Sequence, residues 1–79
     1  MNAIIECVCV HAWRNTAEGV EYCDPSEATP DGWSIYERTV PDAGGLFDID
    51  HEADFATRDE ALQAAEIRAA IHNVIIDEY

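Results

Sequence analysis

With 79 residues, the chain has material for one hydrophobic core and no second domain. Apolar residues make up 48% of it, too many for a chain that stays unfolded for want of surface to bury, yet too few to line both a core and an enclosed catalytic cleft, which argues against an enzyme. The 17 acidic residues against 4 basic ones leave a formal net charge of -13, which excludes direct binding to a polyanion such as nucleic acid.

That charge also exceeds the magnitude of roughly 2 to 8 that keeps a small domain soluble. Self-repulsion on this scale destabilises a compact state, so the acidity is expected to serve a partner rather than solubility alone. All four basic residues are arginines. No stretch approaches the roughly 20 apolar residues of a membrane helix, and Met-Asn-Ala-Ile-Ile-Glu at the start lacks the basic region of a signal peptide. A cytoplasmic location is therefore expected. Cys7, Cys9 and Cys23 are odd in number, and positions two apart on a strand rarely form a disulfide, so reduced thiols are expected.

Residues 3 to 13, rich in β-branched and aromatic types, predict a first strand. Its two faces are Ile5, Cys7, Cys9, His11 and Trp13 against Ile4, Glu6, Val8, Val10 and Ala12; both are largely apolar, as suits a central strand. Asn15 to Gly19 reads as a turn and Val20 to Cys23 as a short returning strand. Two prolines and an Asp-Gly pair make residues 24 to 32 a loop. Trp33 to Val40 alternates as a strand, with Trp33 and Ile35 on one face and Tyr36 and Val40 on the other. Residues 41 to 45 then turn the chain into a partner strand over Leu46 to Asp50.

Thr57 followed three residues later by Glu60 has the spacing of a capping box, and Asp59 and Glu60 complement the positive end of a helix dipole. Ala61, Ala64, Ala65, Ile67, Ile71 and Val74 recur at helical spacing and predict the buried face, with Glu66 and Arg68 outside. Phe55 precedes the cap and is placed to close the corner beneath it. Asn73 suits a left-handed cap, after which Val74-Ile75-Ile76 favours an edge strand. The expected architecture is α+β: an antiparallel sheet of three to five strands with one helix in the C-terminal half packed across one face.

Asp48, Asp50, Glu52 and Asp54 fall at every second position, so in an extended chain all four point one way at intervals of about 6.6 Å. Such a ladder is on the scale of the phosphates of a nucleic-acid strand. With Asp42 before it and Asp59 and Glu60 after it, it forms the candidate partner-binding set. A solvated edge that resists aggregation accounts for the same acids. Asp48, Asp50 and Glu52 also fit the early ligand spacing of a calcium loop, but the glycine such a loop needs is Ala53. Cys7, Cys9, His11 and Cys23 are ligand types for zinc, though on an extended strand they read better as core. No metal, cofactor or catalytic set is expected; the chain has no phosphate loop, nucleophile elbow or His-Glu-x-x-His pattern. Trp13, Trp33, Tyr22, Tyr36 and Tyr79 read mainly as core aromatics, with a role as binding anchors for any that reach the surface.

In its length, its strand-rich body with one capped helix, and clustered acids such as those from Asp48 to Asp54, the chain resembles the small acidic inhibitors that bacteriophages encode against host defence, among them anti-CRISPR and DNA-mimicking anti-restriction proteins. The resemblance covers the general character of the whole chain and not a shared motif. It implies a non-enzymatic inhibitor in the host cytoplasm that fills the positively charged DNA-binding channel of a nucleic-acid-binding protein such as a CRISPR effector subunit. The alternative is a small accessory interaction module whose acidity serves solubility.

Overall fold

In the computed structural model, which describes residues 4–78, the apolar N-terminal run forms one long strand, β1 (Ile5–Thr16). Ala3, where that strand was expected to begin, and Tyr79 lie outside the described residues. A tight turn leads into β2 (Gly19–Tyr22), and the proline-containing loop into β3 (Gly32–Thr39). The chain continues through β4 (Ile49–Phe55), the helix α1 (Arg58–His72) and β5 (Ile75–Glu78). The five strands form one sheet in the order β2-β1-β3-β4, with β5 added beside β1.

β1 is long enough to hold two partners on one edge. Its last four residues pair antiparallel with β2, and Cys7 to Val10 pair with β5, the one parallel ladder in the sheet. The parallel sense follows from the crossover: a chain that leaves β4, crosses one face as a helix and returns can lie parallel to the central strand. The fold is thus the expected α+β sheet with a C-terminal-half helix. The hairpin differs in detail, because β4 begins only at Ile49, and residues 46–48 remain in the turn. There Asp42 Oδ1 accepts the amides of Gly44 (2.8 Å) and Leu46 (3.0 Å). These bonds widen the turn and delay the ladder.

The helix starts and stops as its sequence dictates. Thr57 Oγ1 accepts the Glu60 amide at 3.2 Å and donates to the Glu60 carboxylate at 2.9 Å. Asn73 closes the other end in the left-handed conformation at φ 55°. At 15 residues α1 is short, and among the described residues no helix is long and apolar enough to cross a membrane.

The core lies between α1 and one sheet face, where Val8, Val10 and Ile35 meet Ala61, Ala65 and Ala69. Phe55, Trp33, Ala53, Leu62, Val74 and Ile76 close its margins. The expectation that Ile67 and Ile71 face this core is overturned: they are 65% and 73% exposed. At 3.6 residues per turn, Ala61, Ala65 and Ala69 span an arc of about 80°, and Ile67 lies about 200° from Ala65. The sheet accepts the alanine arc because short side chains let the helix backbone come close, and the isoleucines cannot share it.

Two irregularities decide which way side chains point. A shift between Ile5 and Cys7 leaves Glu6 as an extra residue on β1, and a shift opposite Ile35 and Tyr36 leaves Glu52 extra on β4. Each inserts one residue against none on the partner and reverses the alternation beyond it.

Replacing Ala65 by leucine is expected to lower stability by about 1–3 kcal/mol through overpacking, whereas Ile67→Ala stays within about 0.5 kcal/mol. Chemical denaturation of the two variants beside the parent distinguishes the alanine contact from the isoleucine contact predicted by periodicity alone.

Candidate functional site

The seven predicted partner-binding acids do not form one ladder. Because Glu52 is the extra residue in β4, Asp54 pairs with Ser34 on the sheet face away from the helix, while Asp50 pairs with Glu37 on the helix side. Asp48 precedes the strand, and Asp42 is occupied within its turn. Glu52 is engaged with Arg68 at 3.1 Å. Asp48, Asp50 and Asp59 are exposed and make no side-chain hydrogen bond or ion pair among the described residues. Glu60 is exposed as well, with one oxygen taking the Thr57 hydroxyl. The alternation that suggested the ladder assumes a regular strand, and nothing local in residues 48–54 announces the bulge.

The arginines complete the charge picture. Arg14 bonds Glu21 at 2.8 Å, Arg38 bonds Glu6 at 3.1 Å, Arg58 bonds Glu78 through two contacts, and Arg68 meets both Glu37 and Glu52. Every arginine of the chain is therefore tied to a glutamate of the chain. Arg68, expected outside, is drawn down by Glu37, a carboxylate only 7% exposed beneath the helix. His72 Nε2 stands 2.5 Å from Glu37 Oε2, although that buried oxygen takes no hydrogen bond of good geometry. The carboxyl–carboxyl bond to Glu37, then partial burial, pushes Glu52 above the usual carboxylate range against the pull of Arg68. Two glutamates, one arginine and one histidine thus pin the C-terminal half of α1 to β3 and β4.

The opposite sheet face has no helix over it among the described residues. Cys7, Cys9, His11 and Trp13 of β1 lie there with Tyr22, Ser34, Tyr36 and Arg38, opposite His51 and Asp54. His11, Tyr22, Tyr36 and His51 form a continuous aromatic row with centroid separations from 4.5 to 6.2 Å. The hydroxyls of Tyr22 and Tyr36 share a hydrogen bond at 3.0 Å. Burial first, and this bond second, push Tyr36 up to about 12. Of the aromatics read as core, Trp33 packs against it, whereas Tyr22 is 60% exposed and Tyr36 half-buried on the open face; Tyr79 lies outside the described residues.

Asp54 Oδ1 is the hub at one end of the row, accepting the Ser34 hydroxyl and standing 2.7 Å from His51 Nε2. These bonds, Ser34 first, hold its carboxyl below the usual range. The order differs from a catalytic relay, in which the imidazole stands between hydroxyl and carboxylate. Around this hub Trp13, Val20, Tyr22, Tyr36 and His51 wall a half-open recess of about 290 Å³. A second recess of about 180 Å³ shares Tyr22 and Tyr36 and continues past Cys9 to Phe47 and Ile49.

Cys7 and Cys9 are buried at the floor of this face with sulfurs 3.6 Å apart. Burial, reinforced by the Cys7 contact, pushes the Cys9 thiol up to about 12. Among the described residues no three His, Cys, Asp or Glu side chains are grouped to hold a metal. Comparison with protein-family models, with curated proteins and with solved structures gave no match.

Arg68→Met should cost about 1–3 kcal/mol, because Arg68 is the cation that contacts both Glu37 and Glu52. Glu37→Gln added to it should restore part of the loss, a coupling that a double-mutant denaturation cycle measures. A thiol reagent at neutral pH should modify Cys23 first, with Cys7 and Cys9 reacting only on unfolding. An exposed thiol in the unfolded chain ionises near 9.0, whereas burial holds Cys9 protonated up to about 12 in the folded protein. The unfolded chain therefore holds fewer protons in that window, and stability falls as pH rises through it. Cys9→Ala flattens that alkaline slope.

Proposed function

We propose that the protein is a non-enzymatic inhibitor that binds a cationic, nucleic-acid-binding protein through its uncompensated carboxylates. The observation that carries this reading is the internal pairing of all four arginines with glutamates. Their charge is spent inside the molecule, so Asp48 and Asp50 face solvent with no ion pair among the described residues. A net charge of -13 on 79 residues then acts outward as a field that attracts a basic channel and repels nucleic acid.

Asp48 and Asp50 at the start of β4, with Asp59 and Glu60 at the start of α1, are the members of the candidate set whose side chains remain available. They replace the straight ladder as the contact group. Such a protein works by occupancy: it fills a channel lined with lysine and arginine and leaves no room for the polyanion. A CRISPR effector subunit is the narrowest form of such a target.

A pull-down from bacterial lysate with the tagged protein, washed at low and then high salt, tests the reading. Basic nucleic-acid-binding proteins should elute with salt and be displaced by duplex DNA. The triple change Asp48→Asn, Asp50→Asn, Asp59→Asn should weaken capture about tenfold or more with the fold intact, mostly through a slower association rate. Retained proteins that ignore both salt and DNA would sink the proposal and favour an accessory module that docks by apolar contact.

A further inference from the structure

The open sheet face carries chemistry that an acidic mimic does not require. The recess around Asp54 is walled by Trp13, Tyr22, Tyr36 and His51 and has Ser34 at its floor. At about 290 Å³ it sits at the lower bound of roughly 300–1,000 Å³ for small-molecule sites, a size that suits one inserted side chain better than a cofactor. Both contacts made by Asp54 use Oδ1, which leaves Oδ2 without a hydrogen bond among the described residues. An aromatic wall beside an unspent carboxylate oxygen offers the ring-face attraction and the charge-assisted bond that a flat cation uses together.

From this geometry we infer that the recess is a receptor for an arginine side chain of the partner protein, its guanidinium stacked on the exposed Tyr22 ring and bonded to Asp54 Oδ2. The adjoining recess shows the same chemistry from within the chain. There Arg38 lies over the Phe47 ring, 5.9 Å from its centroid, with Glu6 as its carboxylate. The planar guanidinium fits better than a lysine ammonium because it stacks and bonds at once. An anionic stacking guest such as a nucleic-acid strand is disfavoured by the -13 charge of the chain. Trp13 contributes only carbon surface to the wall, since its Nε1 is itself buried and out of reach. Gly32 makes that wall possible: a Cβ there would stand 2.4 Å from the indole ring.

This inference rests on the reading of a cationic partner, but it is tested without one. Isotopically labelled protein is titrated at low salt with the blocked tripeptide Gly-Arg-Gly and, separately, with its neutral counterpart carrying citrulline in place of arginine. Saturable shifts centred on Ser34, Tyr36, His51 and Asp54 are expected with the arginine peptide alone. Asp54→Asn and Tyr22→Ala, both at exposed side chains, should each weaken binding about fivefold. The pair Asp48→Asn, Asp50→Asn should change it less than about twofold. Equal shifts with the citrulline peptide, or shifts spread over the acidic loops and tracking Asp48 and Asp50, would overturn the receptor. A responsive recess with no basic protein captured from lysate removes the inhibitor reading and keeps the site; salt-released partners with a silent recess remove the site alone.

Discussion

Ala61, Ala65 and Ala69 set how closely α1 approaches β1 and β3, and most of the remaining structure adjusts to that distance. A helix that packs through methyl groups buries little side-chain volume, so the core depends on Val8, Val10 and Ile35 filling the sheet side completely. The close approach also brings Glu37 beneath the helix. A carboxylate under a helix is costly unless paired, and Arg68 and His72 are drawn toward it. Displacing the helix outward would open the alanine contact and the ionic pin together.

The same constraint divides the molecule into two unlike faces. One is spent on stability, with the helix, the core and the glutamate–arginine pins. The other is left to aromatic, histidine and thiol side chains with no second layer over them among the described residues. In a chain too short for helices on both sides of its sheet, the uncovered face is the place where a large polarizable surface persists. Its aromatic rings support one another edge to face, and Asp54 holds one end. The proposed arginine receptor and the proposed carboxylate contacts would use different parts of one partner. Long-range attraction from the aspartates governs encounter, and a short-range slot governs register, a separation typical of interfaces between oppositely charged proteins.

Charge economy follows from the same packing. With 4 arginines and no lysine, each arginine is placed against a glutamate of another element: Arg14 of β1 to β2, Arg38 of β3 to β1, Arg58 of α1 to β5 and Arg68 of α1 to β3 and β4. Exposed pairs of this kind contribute little stability individually. They leave Asp48, Asp50 and Asp59, and glutamates such as Glu66, exposed and outside any ion pair among the described residues.

The sequence by itself determined the elements whose signals are local. Thr57 and Glu60 specify the helix start, Asn73 its end, and the β-branched run from Ile5 a central strand, because caps and pleat alternation act between residues a few positions apart. It determined the α+β class for the same reason. Only the tertiary structure decided that Ala69 and not Ile67 or Ile71 faces the core, since helical periodicity cannot distinguish the more hydrophobic stripe from the one that packs closer. The bulge at Glu52 was likewise invisible, because an extra residue is defined only by the strand opposite. That single residue sent Asp54 to the open face, where it meets Ser34 from β3. The recess joins β1, β2, β3 and β4, and a site assembled from four strands exists only once their order and register are fixed.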